Sequence, residues 1–186
     1  VIVETEPNNY RAEEFLRDGR AVTIRALHSE DKALWQDVWE HLSPTSVYYR
    51  FFSPKKNMSD QEVAYFTQLD FITHVGLLAI VHDPTVGDEP AAVGRYLLSL
   101  TDENSAEIAF AVEDAYHGLG IGTLLLKHLS VIAKQADIKV FKAFVLAENR
   151  KMVEVFENCG MPVSKELKDF TMYEVKINLE DQIANG

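Results

Sequence analysis

The sequence has a single cysteine, Cys159, among 186 residues. That excludes an internal disulfide and fits a reducing, cytoplasmic setting. No apolar run is long enough to span a bilayer, and no basic-then-apolar pattern opens the chain. Neither a membrane partner nor a secretory leader is therefore expected. Basic residues are few, 18 Lys and Arg against 29 Asp and Glu, for a net charge of −11. A binder of phosphate backbones presents a basic face, so nucleic acid is not an expected partner. The six histidines show no HxxxH or HExxH spacing, so no metal site is expected. No repeat, low-complexity tract or second composition regime breaks the chain, and 186 residues most simply form one domain.

What is present is ordinary for a globular protein: 47% hydrophobic and 25% charged residues. The acidic balance serves solubility first; its sharper reading is attraction of a cationic substrate such as a lysine or another amine. Val1 rather than Met stands first, which suggests a processed product or a piece of a longer protein.

Periodicity predicts an order of elements. Asp18-Gly19 is a turn signal before alternation at Val22, Ile24 and Ala26, a first strand. Ser29, Ser43 with Pro44, and Ser59 each read as helix starts, the last helix running to about Leu69. The runs 75–82, 91–100 and 106–112 read as three strands joined by short turns, an antiparallel meander. Ile121, Leu125, His128, Leu129 and Ile132 lie at helical spacing, to about Gln135. A strand over 138–146 follows, then a helix with Gly160 as its left-handed C-cap, then a strand over 170–177. Strands flanking a helix make the sheet mixed.

Between the third meander strand and the long helix stands "EDAYHGLGIGTLLL", with Gly118, Gly120 and Gly122 alternating. Glycine is the default turn residue, so an ordinary turn is one reading. The other is a phosphate cradle: the first N–H groups of a helix lack internal partners and the macrodipole adds positive charge there. No lysine follows as a P-loop needs, and Thr123 stands where the dinucleotide fingerprint needs its third glycine.

This stretch resembles the acyl-CoA-binding motif of the GNAT superfamily of N-acetyltransferases, Q/R-x-x-G-x-G/A. It aligns as His117-Gly118-Leu119-Gly120-Ile121-Gly122, with His117 where the family usually has Gln or Arg. "LAENRKMVEVFENCGM" resembles the family's second motif, through Asn149, Phe156, Gly160 and Met161. Phe156 stands where Tyr is common, so it cannot protonate a departing CoA thiolate. "HLSPTSVYYRFFSPKK" and "AEIAFAVEDAYHGLGIG" are similar to the Pat-type protein lysine acetyltransferases. In that group the domain is often fused to a cyclic-nucleotide-binding or acyl-CoA-synthetase-like module.

The resemblance covers roughly residues 20 to 178 and implies an α+β GNAT fold: a central mixed, mostly antiparallel twisted sheet flanked by helices and splayed at the acyl-CoA site. Residues 1–19 are expected as an extension or linker and residues 20–186 as the acetyltransferase domain. It implies acetyl-CoA as cosubstrate, a protein lysine as acceptor, and a fused or associated regulatory domain. Implied contacts to CoA are Phe110, Ala111, Val112, His117, Gly118, Leu119, Gly120, Ile121, Gly122, Thr123, Asn149, Met152 and Phe156. The main chain near Phe110 and Val112 would pair with the pantetheine arm.

Acetyl transfer needs a neutral amine, yet a free lysine has a pKa near ~10.4. A carboxylate can act as general base, directly or through water. Strand alternation sets Glu107, Ala109 and Ala111 on one face, the two alanines leaving room for substrate. The Pat-type resemblance places its catalytic glutamate at Glu107. A solvated edge carboxylate is the plain alternative. Glu113 and Asp114 are further acids, and Tyr116 and Tyr173 are candidate acids for the thiolate. Trp35, Trp39, Tyr48, Tyr49, Phe51 and Phe52 are expected in a helical lid. Two other functions stay open: acetylation of a small amine, and a non-catalytic acyl-CoA-sensing module.

Overall fold

The computed structural model describes residues 1–180; the last six residues of the expected 20–186 domain lie outside the described residues. The strands are β1 (Ile2–Glu4), β2 (Arg11–Phe15), β3 (Ala21–Ala26), β4 (His74–Asp83), β5 (Gly87–Leu98), β6 (Ser105–Val112), β7 (Val140–Leu146), β8 (Val163–Lys168) and β9 (Met172–Asn178). The helices are α1 (Lys32–Glu40), α2 (Pro44–Phe51), α3 (Asp60–Thr67), α4 (Ile121–Gln135) and α5 (Arg150–Glu157).

One sheet holds every strand, in the order β1-β2-β3-β4-β5-β6-β7-β9-β8. All neighbours are antiparallel except β6 and β7, because α4 carries the chain back between them. The mixed, mostly antiparallel sheet follows the expectation. Its faces bury different cores. Ile108 and Phe110 of β6 pack with Leu125, Leu126 and Leu129 of α4. Trp35 and Val38 of α1 and Val63 of α3 cover the other face with Leu27 and Leu78.

The helix starts follow local chemistry. Ser43 and Ser59 accept from the N–H groups of Ser46 and Glu62 at their N-caps, as their sequence signals require. Ahead of α1 the start falls one residue earlier than expected. His28 caps a 3-10 turn over Ser29–Asp31, and Asp31 takes a two-pronged ion pair from Arg25, both bonds 2.7 Å. Gly160 has positive φ, but α5 ends at Glu157 with Asn158 as C-cap, so the glycine turns the chain toward β8.

Two further corrections concern strands. Residues 1–19 are no linker: β1 and β2 extend the sheet, and β2 pairs with β3 from Arg11↔Arg25 to Phe15↔Ala21. Tyr10 and Glu14 reach over to α4, bonding the fully buried His128 through the Tyr10 hydroxyl (2.7 Å) and the Glu14 carboxylate (3.0 Å). β8 was missed because it reads as polar and lies exposed along the outer edge of the sheet.

Candidate active site

β6 and β7 pair in parallel only across Ser105↔Val140, Ala106↔Phe141 and Glu107↔Lys142. Beyond Glu107 they part, and this is the expected splay. The Glu113 N–H donates to the Ala91 carbonyl at 2.9 Å, which sets the phase of the β5–β6 ladder. Alternation then turns the amide groups of Ile108, Phe110 and Val112 toward the split. Main-chain groups that lose a sheet partner need another.

The split opens into a cleft of about 900 Å³. Glu107 and all the implied CoA contacts but Leu119 line it. Leu119 packs against the core instead, and its carbonyl accepts from the Arg17 N–H at 3.1 Å. Glu107 sits on the cleft face of β6 with Ala109 and Ala111, while Ile108 and Phe110 are buried on the other.

The three glycines are not equivalent. Gly118 (φ 78°) and Gly120 (φ 91°) occupy the left-handed region that disfavours a side chain. Gly122 does not; a Cβ there would meet the Val155 side chain of α5 at 3.4 Å, ordinary contact, so neither backbone conformation nor space demands a glycine. Gly120 caps α4 without a side-chain bond, and the first ladder bond runs from Leu124 N–H to Gly120 O. The amides of Ile121, Gly122 and Thr123 are therefore free to bind an anion.

A second helix start faces the same cleft. Asn149 accepts from the Met152 N–H at 3.3 Å. Arg150 and Lys151 occupy the first turn of α5, and no acid does. Cations there oppose the helix dipole, an arrangement that suits a bound anion. Lys151 Nζ donates to His117 Nδ1 at 3.3 Å, and His117 Nε2 donates to the Val112 carbonyl at 2.9 Å. His117 thus bridges the end of β6 to α5. Arg17 lies across the turn, its Nε and Cγ 3.5 and 3.6 Å from where a Cβ on Gly120 would stand, and donates from Nη1 to the Gly118 carbonyl at 3.2 Å. In a chain of net charge −11, three cationic side chains, Arg17, Arg150 and Lys151, converge here. The residues fit a diphosphate-bearing thioester.

The other acids serve elsewhere. Asp114 accepts from Ser43 N–H (3.0 Å) and Oγ (2.7 Å), fastening the glycine turn to the start of α2. Glu113 lies off the cleft lining, its pKa raised first by burial and then by nearby acids against the pull of His41. Tyr116 lines the cleft beneath the Arg20 guanidinium, 5.2 Å from its ring centre, with its pKa raised chiefly by burial. Tyr173 stands on β9 under Lys165, away from the cleft. Phe156 is buried against Phe110, ring centres 5.9 Å apart. Tyr49 of α2 reaches the cleft. Among the described residues no group of three His, Cys, Asp or Glu side chains could hold a metal, and no helix is long and apolar enough to cross a membrane.

The acceptor side is built from side chains. Trp35, Trp39, Phe51 and Phe66 stack and tilt against one another at 5.1–6.5 Å. The expected helical lid includes Trp35, Trp39 and Phe51 of this cluster, whereas Tyr48 and Phe52 are exposed. Sequence reasoning missed Arg17, Arg50, Arg95 and Lys151. Arg17 was hidden in the supposed linker; the signal for Arg50 was a charge inside the aromatic run "YYRFF".

A split mixed sheet with a main-chain anion cradle beside a carboxylate defines an acyl-CoA-dependent transferase. Comparison with known proteins gives the family. A model of the Acetyltransferase (GNAT) family matches residues 28–161. An acetyltransferase of Pseudomonas aeruginosa is 28% identical over 158 residues, covering 85% of this chain and 84% of the relative. The acetyltransferase Pat of Mycolicibacterium smegmatis is 28% identical over 141 residues, 76% of this chain; the match spans only 41% of that relative's length. Among solved structures, the GNAT domain of S. lividans PAT superposes with a TM-score of 0.81 at 32% identity, over 90% of this chain and 96% of that one. The chain belongs to the GNAT acetyltransferase family. It is an N-acyltransferase with acetyl-CoA as cosubstrate.

Proposed function

We propose that this chain acetylates a protein lysine, with Glu107 as general base. The observation that carries the reading is the position of Glu107: an exposed carboxylate on the cleft face, at the last residue pair before β6 and β7 part. The CoA diphosphate lies on the amides of Ile121, Gly122 and Thr123, with Arg17, Arg150 and Lys151 supplying charge. Phe110 and Val112 offer main-chain groups to the pantetheine arm, and an N–H there serves the developing oxyanion. Ala111, His117, Gly118, Gly120, Asn149, Met152 and Phe156 shape the walls of the same site.

Glu107 takes the proton from the ammonium, directly or through water. The neutral amine forms its C–N bond to the thioester carbonyl carbon, the C–S bond breaks, and the second proton that the nitrogen still carries passes to the departing CoA sulfur or, through water, to solvent. The buried Phe156 has no proton to give, which leaves Tyr49 and Tyr116 as the phenols on the cleft. The two Pat relatives support a protein lysine as acceptor. Because Pat of M. smegmatis is much longer than the matched region, we also propose that this domain works with a fused or associated regulatory domain. The setting proposed is cytoplasmic, consistent with the free Cys159.

The test is Glu107→Gln. Acetyl transfer is expected to vanish while CoA affinity, measured by calorimetry, stays unchanged. Turnover equal to the parent protein would remove Glu107 from the reaction. Tight CoA binding with no transfer to any amine by the unaltered protein would favour an acyl-CoA sensor.

A further inference from the structure

Along the face of β6 that carries Glu107, the cleft continues into a small cavity of about 30 Å³. Leu42, Arg50, Ala109 and Ala111 line both spaces, so the cavity is the inner end of the acceptor side. Its walls are aromatic, yet two guanidiniums, Arg50 of α2 and Arg95 of β5, also face it. A guanidinium stays charged and carries five donors. Both are half-buried, and two such groups in one apolar space repel each other.

Arg95 is partly satisfied. Its Nη1 lies 3.2 Å from His74 Nε2, it bonds the Tyr65 side chain, and its guanidinium covers the Tyr65 and Phe66 rings at 5.1 and 4.5 Å. Arg50 differs. Among the described residues it makes neither a hydrogen bond nor an ion pair, and its only contacts of note are the rings of Phe51 (4.9 Å) and Phe66 (5.9 Å). Burial, and then Arg95 beside it, push its pKa down to about 10. Glu107 is the carboxylate that both guanidiniums sense, but it forms no ion pair with either. Arg11, Arg20 and Arg25, by contrast, each hold a carboxylate at 2.7–3.1 Å.

An unpaired guanidinium in an aromatic cavity is a receptor waiting for an anion. The cavity holds two or three water-sized volumes, by the rule that one water needs about 10–15 Å³. That suits a carboxylate and excludes a large side chain. We propose that Arg50, backed by Arg95, binds a carboxylate carried by the amine acceptor, so that the acceptor lies with its amine at Glu107 and its anion at Arg50. The inference rests on reading the cleft as an amine acetylation site and narrows its substrate class. The carboxylate comes either from a free amino acid or from an acidic residue beside the target lysine.

Matched pairs separate these sources and the proposal itself. L-Lysine is compared with cadaverine, which lacks only the carboxylate. A peptide with lysine flanked by glutamate is compared with its glutamine counterpart. Each is titrated into the CoA-loaded protein by calorimetry and assayed for kcat/KM. The unaltered protein is expected to favour the carboxylate member of at least one pair by about tenfold or more, as a charge-assisted bond in a desolvated site allows. Arg50→Gln is expected to erase that preference while cadaverine and CoA binding stay within about twofold. Arg50→Lys, keeping the charge but losing the fork, should fall between. No preference in either pair, or equal losses for both members in Arg50→Gln, overturns the proposal. The unaltered protein's preference decides the matter even where Arg50→Gln does not fold. Carboxylate-dependent binding without acetyl transfer would support the anion site and refute the acetyltransferase reading.

Discussion

The two walls of the cleft are built by different means. The CoA wall is main chain: positive-φ glycines, two helix starts and the unpaired edge of a split strand. The acceptor wall is side chain: four aromatics and two arginines, brought together from α1, α2, α3 and β5. A main-chain site tolerates side-chain changes and fails when the backbone moves. A side-chain site does the reverse. The difference also separates what is common to a family of acyl-CoA users from what selects one acceptor.

The largest expected effect falls where the walls meet. Glu107→Gln should lower kcat by about 10²–10⁴-fold, the range of a general base, without altering CoA affinity. A matching loss of CoA binding would mean that the walls are not separable. Next is the CoA wall itself. Gly120→Ala puts a side chain in a left-handed residue under Arg17, strain of roughly 1–2 kcal/mol. CoA affinity by calorimetry should fall about tenfold, with the acceptor preference intact; an unchanged affinity would show that the turn does not hold the diphosphate.

A third prediction concerns acid stability of the acceptor wall. Burial, and then Arg95, hold the His74 pKa down to about 4. A base whose folded pKa lies below its unfolded value of about 6.5 is destabilising when it must bind a proton. Its contribution is fully present above pH 6.5 and is lost as pH falls toward 4. Unfolding free energy from denaturant titrations should drop over that window by an amount on the order of 3 kcal/mol. His74→Gln should flatten the slope, leaving the share of buried His128, whose pKa is also lowered by burial. An unchanged slope would remove His74 from the wall's balance. The smallest effect is expected at His117. Its side chain braces β6 to α5, and the proposed function puts the anion on the amides beside it, so His117→Ala should weaken CoA binding by less than about threefold. A tenfold loss would make the CoA wall as dependent on side chains as the other.

Legibility followed the same division. The glycine turn and the face of β6 that carries Glu107 could be read from the chain, because each is a local event set by φ or strand alternation. β2 could not, since "RAEEF" has helix-favouring composition and becomes a strand only by pairing with β3. β8 could not either, for an edge strand needs no apolar stripe. Arg17 lay in a segment expected as an extension or linker, and reaches Gly118 across more than a hundred residues.

By itself the sequence determined the meander, the α4 start and the positive-φ turn, along with the carboxylate at the strand's split end. All depend on residues within a few positions of one another. Only the tertiary structure decided that Arg17 crosses the glycine turn, that Asp114 is committed to Ser43, and that Arg50 stands unpaired beside Arg95 and Glu107. Those outcomes depend on what long-range packing places within a few ångströms, and on whether a charge buried there finds a partner.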